Sequence, residues 1–344
     1  MSAKTKRIGE ILFFIAVMGL TFYAVLYKKD MNEMLSAVKG MQPICGVVAM
    51  LLGIAFVCLE GTMIWYLLAS MHGTSSLMRC IEYSFIGFFY SGITPSATGG
   101  QPMQLYYMKK DGNRMSDSSV VLMTVALIYK FVLVLIGVAL LVFWNQPLQQ
   151  YLGNYFYLYL VGIGLNIILV VLIWGVMIYP TLIRRLIEGV CHLLVRLHIW
   201  KPSATRMEKI DGFIQGYQDA VHFLKDNPGK VAVVTLLTVI QRFTVFILTY
   251  VIYRGFGLHG AEAFTVVALQ ASVYIAVDML PIPGAQGITE LMYQAVFLQI
   301  FLGKFLVPSM LVCRAVNFYF LLLLSLVIVV INWGKGKVRK TIVS

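Results

Sequence analysis

An all-α polytopic membrane fold is predicted by three features of the sequence. Of its 344 residues 60% are hydrophobic and only 12% charged, with a mean hydropathy of +0.83, more apolar side chain than a water-soluble globule can hide. Six apolar runs are each long enough to cross a hydrocarbon layer, which takes roughly 20 residues of helix. Two further apolar regions are interrupted by proline and glycine and read as broken-helix hairpins. The whole chain, 1–344, is expected to be one transmembrane domain.

In chain order, Lys4, Lys6 and Arg7 precede the first run, 8–27, which is too long for a signal-peptide core and lacks a small-x-small cleavage site. It reads as a retained helix. Further spans are expected at 44–70, 118–144, 155–179, 230–253 and 308–333, with one hairpin at 77–110 and the other at 262–306. The longest non-spanning stretch is 181–229. In its first part Ile183, Leu186, Ile187, Val190, Leu194 and Leu197 share a face opposite Arg184, Arg185, Glu188, His192 and Arg196, a basic amphipathic helix suited to anionic headgroups. After Pro202, the positions Met207, Ile210, Ile214, Tyr217, Val221 and Leu224 predict a second amphipathic helix, docked on the bundle and ending near Asn227-Pro228.

Basic residues set the orientation. With both termini cytoplasmic, 19 of the 27 lysines and arginines fall inside: three near the N-terminus, Arg79, three at 109–114, eight in 181–230 and four near the C-terminus. Five fall outside: Lys28, Lys29, Lys39, Arg254 and Lys304. The first hairpin must then leave from and return to the inside, the second the outside. Span, hairpin, span thus occurs twice in opposite senses, the inverted repeat used by membrane transporters, whose broken helices expose backbone groups to a polar substrate inside a protein-lined cavity. The plainer alternative is a bundle with two proline/glycine kinks.

The first break reads Thr94-Pro95-Ser96-Ala97-Thr98-Gly99-Gly100-Gln101-Pro102, and the second runs from Leu280 through Pro281, Ile282, Pro283, Gly284, Ala285, Gln286 and Gly287 to Glu290. Proline removes a backbone donor, and glycine admits close approach. Preceded by Phe85, Phe88, Phe89 and Tyr90, these motifs make the chain resemble, over essentially its whole length, the transmembrane region of lysylphosphatidylglycerol synthase, the flippase-like domain of the multiple peptide resistance factor. The family's second motif commonly runs Pro-Gly-Gly-x-Gly-x-x-Glu; here Ala285 stands for the second glycine. The resemblance implies a bacterial plasma-membrane protein that moves a phospholipid such as lysyl-phosphatidylglycerol between leaflets, with links to lipid metabolism and to resistance against cationic antimicrobial peptides. In the family a separate soluble domain makes that lipid; the 49 residues of 181–229 are too few for one, since domains typically need about 100. A separately encoded lipid-modifying enzyme is therefore the expected partner. Two alternatives stay open, phosphatidylglycerol lysyltransferase activity, as the family name implies, and a membrane scaffold or receptor.

An ionisable group at membrane depth costs roughly 2.5–3.5 kcal/mol on insertion scales, so each one needs a reason. Glu60, Glu82, Lys130, Arg242, Asp278, Glu290 and Arg314 qualify. Lys130, Arg242 and Arg314 are candidates for holding a lipid phosphate; Glu60, Asp278 and Glu290 for facing a cationic headgroup or carrying a coupling proton. Mutual pairing that locks the bundle is the competing reading. With these, the candidate substrate site comprises Pro95, Thr98, Gly99, Gly100, Gln101, Pro283, Gly284, Gln286 and Gly287. The net charge of +12 comes without a basic globular segment to hold nucleic acid, and none is expected as a partner. Five scattered cysteines without a CxxC pair read as free thiols, and five histidines without ligand spacing predict no metal. Ser91 and Ser96 have no sequence-local base, so nucleophilic catalysis is unsupported. No cofactor is expected.

Overall fold

The computed structural model describes residues 38–71, 73–94, 97–179 and 204–343, together with Ser36 and Gly189. Helix α1 (Pro43–Ser70) opens on a proline, which lacks only an N–H that no helical carbonyl needs there, and its 28 residues reach about 42 Å. Ser76 caps α2 (Leu77–Ile93), its Oγ accepting from the Arg79 N–H at 3.4 Å. Then come α3 (Gly100–Lys110), α4 (Met115–Phe143) and the short α5 (Asn145–Leu152), which stops at Gly153 with φ +50°. Helix α6 (Tyr155–Ile178) ends just before Pro180. Helix α7 (Ala204–Asp226) leads through Asn227 into α8 (Pro228–Gly255), again with proline in the first turn. Helix α9 (Ala263–Val277) and α10 (Ile288–Val296) flank the second break, whose centre is a single 3-10 turn, Pro283–Ala285. The last predicted span is not one regular helix: α11 (Gly303–Arg314) passes through a π-helical segment, Ala315–Phe320, into α12 (Leu321–Val343).

Among the described residues five stretches are long and apolar enough to cross a membrane: Pro43–Ser70, Met115–Phe143, Tyr155–Ile178, Pro228–Gly255 and Gly303–Trp333. They match five of the six predicted spans; the run 8–27 lies outside the described residues, as does the basic amphipathic helix in 181–200 apart from Gly189. The chain is thus an all-α multi-pass membrane protein. Its spans carry exposed apolar residues at helical spacing, Phe131, Leu135, Val138 and Val142 on α4 and Leu236, Ile240, Phe243 and Ile247 on α8. Such stripes suit contact with lipid tails.

Helices α1 and α8 run antiparallel along their whole length. The Gln42 N–H donates to the Gly255 carbonyl at 2.9 Å at one end, Gln241 Nε2 to the Phe56 carbonyl at 2.8 Å midway, and Lys230 Nζ to Ser70 Oγ at 3.0 Å at the other. The first hairpin, α2 and α3, begins and ends together: Arg79 Nε lies 2.6 Å from Asp111 Oδ2, and Asn113 Oδ1 accepts the Thr74 N–H at 3.1 Å. Near its tip a Cβ on Gly100 would sit 2.8 Å from the Gly87 carbonyl oxygen, so only glycine lets the two arms close. At the other end of α8, Glu262 and Thr265 from the start of the second hairpin and Gln299 from beyond α10 share a basin with Tyr253 and Tyr151. Helix α7 docks as expected: Ile214, Tyr217, Ala220, Val221 and Leu224 are buried, with α4 as its main neighbour. Tyr217 donates to Met123 Sδ at 3.6 Å, and burial pushes its phenol up to about 12.

Candidate functional site

The two breaks meet. Ala97 of the first and Leu280, Ile282, Gly284 and Ala285 of the second line one cavity of about 210 Å³. Its apolar wall includes Phe56, Phe88 and Phe318; its polar groups include Ser91, Gln270, Tyr274, Asp278, Thr289, Arg314 and Asn317. The mixture is that of a ligand site, apolar walls with a few placed polar groups.

Each break is held by its own side chains. In the first, Thr94 Oγ donates to the Tyr90 carbonyl at 2.6 Å and accepts the Gly99 N–H at 2.9 Å, while Ser91 Oγ donates to the Ala97 carbonyl at 3.3 Å. The hydroxyls replace backbone bonds that the missing helical turn would have made. In the second, Gly284 (φ +59°), Ala285 (φ +48°) and Gly287 (φ +85°) all lie in the left-handed region. A Cβ on Gly284 would meet the Phe318 ring at 2.5 Å, so this glycine serves both the turn and a close approach. Ala285 occupies the position where the family pattern has glycine, and its positive φ is the physical reason for glycine there.

Glu290 and Arg314 form a clip across this second break. Glu290 Oε2 accepts the Gly287 N–H at 2.7 Å, capping α10, and its Oε1 accepts from Arg314 Nε at 2.7 Å. Arg314 Nη2 donates to the Gly284 carbonyl at 3.0 Å, with its guanidinium 4.9 Å from the centre of the Phe318 ring. Both side chains are nearly buried, 4% and 11% exposed.

The remaining membrane-depth charges form a line between the hairpins. Gln104 Nε2 of α3 donates to Glu60 Oε1 at 2.8 Å. Arg242, 3% exposed, donates through Nη2 to Gln241 Oε1 at 2.8 Å, and its guanidinium lies 4.2 Å from the Tyr129 ring centre and 4.6 Å from that of Phe56. These cation–π contacts partly replace the carboxylate that, among the described residues, it lacks within salt-bridge distance. At the end of α9, Asp278 accepts from both Tyr129 and Lys130. Four of the acids and bases singled out in the sequence therefore pair as the bundle-locking reading expects (Lys130 with Asp278, Arg314 with Glu290), while Glu82 pairs with Arg79.

Of the candidate site residues, Asp278, Gly284 and Arg314 line the cavity. Pro283, Gly287 and Glu290 build its second break, while Gly99 and Gly100 build the hairpin tip. Thr98 and Gln101 are exposed and lie outside the lining, and Pro95 lies outside the described residues. Gln286 is 2% exposed with neither amide atom hydrogen-bonded among the described residues. Sequence reasoning missed Gln270, Tyr274, Asn317 and Phe318. No proline, glycine or charge marks them; the only available signal was the polar Gln270 and Asn317 within apolar helices. Among the described residues no group of three or more His, Cys, Asp or Glu could hold a metal, and Cys45, Cys58, Cys80 and Cys313 are free.

Fold and cavity together define a class: a multi-pass helical membrane protein whose interrupted helices line a cavity of apolar walls and a few polar groups. The chain belongs to the lysylphosphatidylglycerol synthase TM region family, whose model matches residues 8–325. It is also similar to a UPF0104 membrane protein of Pyrococcus horikoshii, 27% identical over 279 residues, which are 78% of this chain and 79% of that one.

Proposed function

We propose that the protein is a phospholipid translocator, moving lysyl-phosphatidylglycerol or a related lipid between leaflets while its headgroup occupies the cavity and its tails stay in the bilayer. The observation that carries this reading is the meeting of two helix breaks at one cavity that brings Asp278, Arg314 and other polar groups together inside an apolar bundle. The antiparallel pairing of α1 with α8 supports an inverted arrangement, in which α1 to α4 and α8 to α12 are the two halves of a single domain, 1–344, linked by the cytoplasmic 181–229 segment. Arg314 offers a phosphate its guanidinium edge, Gln286 an amide with no partner among the described residues, and Lys130 and Arg242 the positive field behind the wall. Glu60 and Asp278 are the charge-coupling groups. Both termini are cytoplasmic in a bacterial plasma membrane, and a separately encoded enzyme supplies the modified lipid.

The family name favours one rival, phosphatidylglycerol lysyltransferase activity. One experiment separates them. Protein reconstituted in liposomes is followed for leaflet exchange of labelled phosphatidylglycerol and its lysyl form, with radiolabelled lysine and tRNA in parallel. Exchange without lysine incorporation is the expected outcome; lysine incorporated by the pure chain would overturn it.

A further inference from the structure

The cavity has one wall whose construction differs from the rest. Helices α2 and α12 lie side by side and antiparallel, from Gly92 against Leu322 at the cavity to Glu82 against Asn332 at the far end. The ten helical steps from Leu322 to Asn332 make this seam about 15 Å long. Between its ends the facing surfaces are mainly apolar, with Phe85 and Phe88 on α2 packed in one cluster with Leu324 and Ile328 on α12, and with Ser325 buried on the α12 face that carries Leu322 and Asn332. Phe318 stands at the cavity end, its ring 6.4 Å from that of Phe88.

The far end is closed by a dense polar network centred on Arg79. Its Nη1 donates to both Glu82 and Asn332, and its Nε to Asp111 Oδ2 at 2.6 Å. Asn332 Nδ2 returns a bond to Glu82 Oε2 at 3.1 Å, and Tyr83 donates to Asp111 Oδ2 at 2.6 Å. Ser75 and Asn113 extend the network to the loops at either end of the first hairpin, through contacts of 3.0 Å to Tyr83 and 2.7 Å to each other. One guanidinium therefore ties the start of α2, the end of α3 and the middle of α12 together.

The three charged members of this network are more exposed than the two pairs at the breaks, while its Tyr83, Asn113 and Asn332 are buried. The side chains of Arg79, Glu82 and Asp111 are 20–24% exposed, whereas those of Lys130, Asp278, Arg314 and Glu290 are 4–11% exposed. Water can replace the Arg79 contacts as they part, but separating either deep pair strands a charge in the bundle. The seam between α2 and α12 can thus open while the breaks hold.

We propose that this seam is the gate through which the cavity opens to the membrane face bearing α7, and that the Arg79 network is its latch. The inference rests on the translocation reading for its purpose, but the latch can be tested apart from it. With the five native cysteines replaced, Ser91→Cys places one thiol in the cavity lining, and a membrane-impermeant cationic thiosulfonate applied from either side reports access. Arg79→Gln should speed labelling from the α7 face about tenfold, within the range of ordinary coupling energies, and leave labelling from the opposite face unchanged. Asn332→Leu removes one arm of the latch and should act in the same direction if Arg79→Gln does not fold. In the liposome assay, a reducible crosslink between Glu82→Cys and Asn332→Cys should stop lipid exchange, and reduction should restore it. Labelling indifferent to both latch variants, or exchange at the uncrosslinked rate with the crosslink in place, would overturn the gate. Absence of exchange in the parent protein would instead sink translocation, while the labelling still decides the latch.

Discussion

Ala285 holds a left-handed backbone conformation, φ +48°, that costs a residue with a Cβ about 1 kcal/mol more than glycine. Ala285→Gly is therefore expected to raise the thermal unfolding midpoint in detergent, and Gly284→Ala to lower it by a larger margin, because there the added Cβ also meets Phe318 at 2.5 Å. The Glu290–Arg314 clip makes a second prediction. Either Glu290→Ala or Arg314→Met alone strands a buried charge and should cost about 3–5 kcal/mol, whereas the double variant should cost less than the sum of the two, as a double-mutant cycle of denaturation midpoints would reveal. Glu290 and Arg314 were legible in the sequence because an ionisable residue in an apolar run is conspicuous. Their mutual pairing was not, since they stand on successive helices 24 positions apart. Phe318 was invisible for the opposite reason: one more aromatic in a chain with 21 phenylalanines has no contrast until the glycine it fills is placed beside it.

Elements long enough to span a membrane are fixed by composition over some twenty residues, so five of them were readable to within a few positions. The breaks were readable too, because proline and glycine act locally. What the sequence did not disclose was α5 and the π-helical segment, since α5 is eight residues of weak pattern and a π turn uses the same residue types as the α-helix around it. Helix α7 was predicted from its apolar spacing, and its docking turns on close approach to α4. A Cβ on Gly216 would lie 2.8 Å from Ser116 Oγ. Gly216→Leu should therefore lift α7 from the bundle, detected as faster tryptic cleavage at Lys225, which is already exposed.

Across the whole molecule, the charge asymmetry of the loops carries the orientation, a property of no single element. In intact cells an impermeant maleimide should label Lys304→Cys, and should reach Ser344→Cys only after permeabilisation; the reverse pattern would turn the molecule over and send the latch to the outside. Lateral order was the part least accessible from sequence, because apolar helices of similar composition give no hint of which will be neighbours, and the pairing of α2 with α12 joins segments about 240 residues apart. That pairing has a consequence for how the chain can change over generations. A π turn accommodates one residue more than an α-helical turn, and each residue advances a helix by about 100°. Removing a single codon between Leu322 and Asn332, where no π turn can absorb the loss, would swing everything beyond it by that angle, taking Asn332 off Glu82 while leaving the other hydrophobic residues in the membrane. Lineages can exchange one apolar side chain for another along this stretch at little cost, but a gain or loss in its length is paid for at both ends of the seam.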